Sequence, residues 1–144
     1  MIILGADHAG YEFKERVKEY LSELGEKFED EGTYSAEPCD YPIIAEKVAR
    51  KVENTENSKG ILICGSGIGV SIAANKVKGI RAALCMNSEL SAMARKHNNA
   101  NILCLAARFI NFEEAKKSIW VFLNTEFEGG RHQRRVEQIY DIER

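Results

Sequence analysis

The apolar run Gly60-Ile61-Leu62-Ile63 closes on Cys64 and passes directly into Gly65-Ser66-Gly67-Ile68-Gly69-Val70-Ser71. A β-branched run followed by glycine at every second position predicts a buried strand, a tight loop and a helix N-terminus. In that arrangement, unpaired backbone N–H groups point into the loop, and the helix dipole favours negative charge there. A thiol at the junction stands where negative charge on sulfur can be stabilised. One short segment thus offers a base or nucleophile beside a site for an oxyanion.

The rest of the chain repeats the alternation. Met1 to Ala6 predicts a strand. Tyr11 to Leu24 predicts an amphipathic helix with Phe13, Val17, Tyr20, Leu21 and Leu24 on its inner stripe and Gly25 as C-cap. A weaker strand is expected over Lys27 to Asp30, where the flanking residues are largely acidic. The loop Gly32 to Tyr41 leads to a helix with Asp40 as N-cap and Pro42 in its first turn, carrying Ile44, Ala45, Val48, Ala49 and Val52 inward. After the Cys64 strand and its helix, Ile80 to Cys85 predicts a buried strand, Ser88 to Lys96 a helix and Asn101 to Ala106 a strand. Phe112 to Leu123 predicts a helix, and a last helix runs from about His132 to the C-terminus. Five strands separated by helices predict an α/β domain over residues 1–144, a parallel sheet with helices on both faces.

Composition narrows the functional classes. A formal net charge of -2 over 144 residues, with 29% charged, gives no basic footprint for nucleic acid and no acidic tail. The apolar start, Met1 to Leu4, is too short for a signal peptide or membrane span. None of the four cysteines forms a CxxC pair, so neither a zinc site nor a disulfide framework is expected. Reduced thiols in the cytoplasm are the economical reading.

In open α/β sheets, ligands sit beyond the carboxyl ends of the strands. Asp7-His8-Ala9-Gly10 follows the first strand, the Cys64 loop the third and Arg108 the fifth, so these residues are expected at one edge. Gly65-x-Gly67-x-Gly69 approaches the dinucleotide fingerprint but has Val70 at its third glycine position, and Glu89 stands about where a ribose-binding acid would. A nucleotide-binding module is therefore one alternative, and a buried, inert Cys64 another. Asp7 can orient His8 as a loop pair, and His97 suits a helix C-terminus. Arg131 and Arg135 share a helix face if Gly129-Gly130 precedes a helix, and with His132 and Arg134 they make a basic knot fit for phosphate.

Asp7-His8-Ala9-Gly10, Gly32-Thr33-Tyr34, Asp40-Tyr41-Pro42, the stretch Gly60 to Lys76, Gly79-Ile80-Arg81-Ala82, His97-Asn98 and Gly129-Gly130-Arg131-His132-Gln133 occur in this order. The chain thereby resembles the type B ribose-5-phosphate isomerases over nearly its whole length. The resemblance implies a three-layer, Rossmann-like α/β/α fold with a five-stranded parallel sheet. It also implies a homodimer or dimer of dimers, no metal or other cofactor, and interconversion of ribose 5-phosphate with ribulose 5-phosphate. Cys64 matches the family's proton acceptor and His97 its ring-opening group. The substrate contacts match Asp7, His8, Gly65, Ser66, Gly67, Ile68, Gly69, Asn98, Arg108, Arg131 and Arg135. Apart from that match, Asp40 is expected to hold a sugar hydroxyl or orient a neighbour in an isomerisation through an enediol. Ser66 keeps a hydroxyl where the cysteine branch has threonine, and Val70 stands where another branch carries a glutamate base. Relatives acting on allose 6-phosphate and galactose 6-phosphate share the scaffold, so a six-carbon substrate is the alternative.

One expectation comes from topology. His97 precedes the fifth strand, so it belongs near the amino edge of the sheet, whereas Cys64 ends the third strand at the carboxyl edge. His97 is therefore expected to serve a neighbouring subunit's site across a two-fold interface.

Overall fold

The computed structural model describes residues 1–143. Its elements are β1 (Ile2–Ala6), α1 (Tyr11–Glu23), β2 (Phe28–Asp30), α2 (Tyr41–Asn54), β3 (Lys59–Cys64) and α3 (Ile68–Ala74), then β4 (Ala82–Leu84), α4 (Ser88–Asn98), β5 (Ile102–Ala106), α5 (Phe112–Asn124) and α6 (Arg131–Ile142). The five strands pair in parallel in the order β2-β1-β3-β5-β4.

The continuous apolar strands follow from burial on both faces. Ile2, Leu4, Ala6, Ile61, Ile63, Leu103 and Leu105 face a core completed by Val17 and Leu21 of α1, Ala94 of α4, and Ala115, Ile119 and Phe122 of α5. The alternate residues Ile3, Leu62, Cys64, Ile102 and Cys104 face Ala45, Val48, Ala49 and Val52 of α2 with Val70 and Ala74 of α3. Each fully buried aliphatic side chain contributes about 1.5–3 kcal/mol relative to exposure. The register pairs Ala6 with Ile63 and Cys64 with Ala106. It levels the carboxyl ends of β1, β3 and β5, so the loops that follow them emerge side by side.

The acidic strand β2 is stabilised by lysines from both flanking helices. Asp30 bonds Lys14 at 2.5 Å and Lys18 at 2.9 Å. Glu31 meets Lys51 at 2.6 Å and Lys47 at 3.4 Å, and Lys51 also pairs with Glu29. Lys14 is fully buried, an inward lysine that the apolar stripe of α1 did not signal. Burial opposes the charge on Asp30, but hydrogen bonds from Lys14, Lys18 and the Gly32 N–H overcome it and hold the carboxyl below its ordinary range.

Three sequence expectations need correction. Ile80 to Cys85 yields only the three-residue strand Ala82–Leu84, half-buried because β4 is an edge strand. Leu24 is the C-cap of α1 and is exposed, with Gly25 following it. The last helix spans Arg131–Ile142, and Arg144, the end of the expected helix, lies outside the described residues. Asp40 does take the N-cap position of α2, with Pro42 in the first turn. No described helix is long and apolar enough to cross a membrane.

Candidate active site

The loops after β1, β3 and β5 enclose a cleft of about 520 Å³. Asp7, His8, Cys64, Gly65, Ser66, Ile68, Gly69 and Arg108 all line it, and Ala9, Tyr41, Ile72 and Phe109 complete it. It opens where β1 and β3 lie side by side while the chain leaves them towards opposite edges of the sheet. Such switch points part the loops and leave a crevice. Tyr41 was not singled out from sequence as a cleft residue. Its ring approaches so near that a Cβ on Gly69 would stand 2.5 Å from the Tyr41 Cε1.

Main chain dominates the interior of this cleft. Cys64 is buried, and its Sγ accepts the Gly67 N–H at 3.2 Å. Gly67 adopts φ +72°, where a Cβ would lie 2.5 Å from Leu84 Cδ1 and 3.1 Å from the Leu105 carbonyl oxygen. Glycine is therefore required for the turn that brings this amide back onto the sulfur. Ser66 Oγ accepts the Ile68 N–H at 3.2 Å. With the Gly67 and Ile68 N–H groups engaged by Cys64 and Ser66, the next N–H groups in the first turn of α3 have no helical carbonyl ahead of them and are the donors presented to an anionic oxygen. Arg108 folds over the loop, with its Nη1 3.2 Å from the position of a Gly65 Cβ.

Asp7 and His8 are held separately, contrary to the expected loop pair. Asp7 is buried and its Oδ1 accepts the Gly10 N–H at 3.0 Å. The Cys39 N–H donates to His8 Nδ1 at 3.1 Å. That bond makes Nδ1 an acceptor and places the proton of the neutral ring on Nε2. Asp40, the next residue, is exposed at the N-cap of α2, beside cleft-lining Tyr41 but not itself in the lining.

The other expected residues gather elsewhere. His97 and Asn98 end α4, which leads into β5 at the amino edge of the sheet, and neither lines the Cys64 cleft. Arg131 and Arg135 lie on α6, exposed and one turn apart, with buried His132 between them. His132 stacks on His97 with ring centroids 4.2 Å apart and planes 16° apart. Glu128 Oε1 is 3.7 Å from His97 Nε2 and 3.6 Å from His132 Nε2. Burial, reinforced by His97 and Arg131, pushes the His132 pKa below the ordinary histidine range. Asn98 borders a second cleft of about 420 Å³ with Arg81 and Ile139, and its carbonyl accepts the Arg81 Nε–H at 3.1 Å.

Among the described residues, His97, Glu128 and His132 are a set with three donor atoms close enough for a metal ion, all within 4.8 Å of one another. Their nearly parallel rings run their in-plane lone pairs side by side instead of converging on one point, so a metal would require the stack to open. Glu89, the candidate ribose-binding acid, is exposed in the first turn of α4 and does not line the cleft. Val70 is fully buried in the core. Burial pushes the Cys85 thiol up to about 11 and the Cys104 thiol well above its ordinary value, as expected for inert core cysteines.

The profile of the Ribose/Galactose Isomerase family matches residues 2–139. Ribose-5-phosphate isomerase B of Escherichia coli is 44% identical over 142 residues, covering 99% of this chain and 95% of that protein. The crystal structure of a ribose 5-phosphate isomerase from Thermotoga maritima superposes with a TM-score of 0.95 at 50% identity, covering 97% of each chain. Ribose-5-phosphate isomerase B of Mycoplasma genitalium, solved with bound ribulose 5-phosphate, gives a TM-score of 0.93 at 44% identity, covering 99% of this chain and 95% of that one.

Proposed function

The chain belongs to the Ribose/Galactose Isomerase family, and on that premise we propose that it acts as a cytoplasmic, single-domain homodimer or dimer of dimers, each site assembled from two copies. It is an aldose–ketose isomerase that interconverts D-ribose 5-phosphate and D-ribulose 5-phosphate, a step of the non-oxidative pentose phosphate pathway. One copy contributes the Cys64 cleft, and the other contributes His97, Asn98, Arg131 and Arg135. The observation that carries this reading is the separation of the two groups. The cleft at the carboxyl edge contains the groups needed for proton transfer, whereas the imidazole and two arginines stand at the amino edge. A two-fold pairing that sets one edge against the other supplies both.

The reaction then runs in two stages. His97 gives a proton to the ring oxygen as the C1–O4 bond breaks. O1 releases its proton to solvent, the C1 carbonyl forms, and His97 regains a proton from solvent. The Cys64 sulfur next takes the C2 proton, and the electron pair moves into the C1–C2 bond as charge develops on O1. Amides of the Gly65 to Val70 loop and the Ser66 hydroxyl receive that charge, where one well-placed donor contributes about 3 kcal/mol. O1 takes a proton from solvent, the Cys64 thiol returns a proton to C1, and O2 gives its own to solvent as the C2 carbonyl forms. Asp7 and His8 hold sugar hydroxyls, and Asp40, outside the lining, orients its neighbour Tyr41. Arg108, Arg131 and Arg135 hold the phosphate, so that binding energy far from C2 positions the reacting carbons.

The test is turnover of ribose 5-phosphate beside allose 6-phosphate and galactose 6-phosphate, before and after iodoacetamide. Preference for the pentose phosphate, lost in step with alkylation of Cys64, is expected. Full activity with Cys64 completely alkylated would remove the thiol from the mechanism, and a preference for either hexose phosphate would reassign the substrate.

A further inference from the structure

We propose that Glu128 is the positioning residue for His97, holding the ring-opening imidazole in its working orientation through its carboxylate. The inference rests on the assignment of His97 to ring opening. Glu128 sits on the linker between α5 and α6 with its side chain half-exposed, and one oxygen reaches both imidazoles, 3.7 Å from His97 Nε2 and 3.6 Å from His132 Nε2. The fold has little use for the side chain, because the linker is secured by its main chain. The Glu128 N–H bonds the Lys96 carbonyl at 3.1 Å, and the Thr125 carbonyl accepts the Arg95 Nε–H at 3.0 Å. Arg95 and Lys96 directly precede His97, so the segment that carries the carboxylate is bonded to the turn that carries the imidazole.

The stacked His132 ring limits tilting of His97, and the carboxylate faces the His97 Nε2 from 3.7 Å away. A carboxylate facing one ring nitrogen leaves the other free to meet the substrate, as in hydrolase triads. Ring opening needs that nitrogen aimed at O4. The later transfer from C2 to C1 does not involve it.

That division supplies the test. Ribulose 5-phosphate cannot close a furanose ring, because its O5 carries the phosphate, so exchange of its C1 hydrogen with solvent deuterium reports the Cys64 step alone. In the full-length enzyme, Glu128→Gln is expected to lower kcat for ribose 5-phosphate by about tenfold or more. KM and the C1 exchange rate of ribulose 5-phosphate should stay within about twofold of wild type. Unchanged kcat, or equal loss in turnover and exchange, would overturn the role of Glu128. His97→Asn, assayed in parallel, separates the two levels. If it spares exchange but not turnover while Glu128→Gln changes neither, the positioning role alone fails. If it lowers turnover and exchange equally, the ring-opening assignment fails and this inference goes with it.

Discussion

At the carboxyl edge of the sheet, the groups proposed to move protons are fixed by main chain. Cys64 is buried, its sulfur tied to the Gly67 amide, and Ser66 is tied to Ile68. At the amino edge, Arg131 and Arg135 project from α6 into solvent, and His97 lies against a neighbouring ring and a half-exposed carboxylate. The contrast matches the chemistry assigned to each edge. Removing a proton from one carbon demands placement to a fraction of an ångström, which strand ends and a tight turn provide. Holding a phosphate demands charge and reach, which long guanidinium side chains provide from a distance.

The sharpest way to break that contrast is to remove the sulfur. Cys64→Ala is expected to cut turnover on the order of 10⁴-fold while calorimetry still detects sugar-phosphate binding. Residual activity near wild type would move the proton acceptor elsewhere. Gly67→Ala attacks the main chain itself. An alanine held at φ +72°, with its Cβ against Leu84 and the Leu105 carbonyl, should cost about 1–2 kcal/mol of stability. That is a fall in Tm of about 3–6 °C for a chain of this size. It should also lower kcat, because the amide donating to Cys64 is displaced. An unchanged Tm and kcat would show that the turn is not under this constraint.

Arg135→Ala should act at the amino edge in the opposite manner. KM for ribose 5-phosphate is expected to rise about tenfold, for a lost charged contact of roughly 1.5 kcal/mol, with Tm unchanged. A fall in kcat at constant KM would contradict a phosphate-holding role. The smallest effect concerns the scaffold shared by both edges. The folded-state pKa of Asp30 lies below its unfolded value, so its contribution is complete above the unfolded pKa, near 3.9, and is lost as pH falls through the folded pKa. Asp30→Asn should therefore flatten the acid limb of stability, measured as urea midpoints on going below about pH 4. An acid limb as steep as that of wild type would assign it to other carboxylates.

The carboxyl edge was far more legible in the sequence than the amino edge. The run into Cys64, the alternate glycines and the residues after the first and fifth strands are local signals, and strand ends in a parallel sheet must converge. Tyr41 escaped notice because it reaches the cleft across Gly69, a contact between α2 and α3 that no local pattern encodes. The same holds for Cys39, whose N–H fixes His8 from across the loop. Glu128 gains meaning only when α6 is seen against α4. The half-burial of β4 depended on strand order, which periodicity does not specify. Lys14 reads as a surface lysine until Asp30 is placed opposite it.

Mixing two inactive variants tests most directly whether one site draws on two copies. Cys64→Ala and His97→Asn proteins are unfolded together, refolded at equal concentration and assayed on ribose 5-phosphate. If each site takes its sulfur from one copy and its imidazole from the other, half the dimers are hybrids with one intact site, and turnover returns to about a quarter of the wild-type value. If both groups of a site came from the same copy, every site would keep one defect, and the mixture would be no more active than its components.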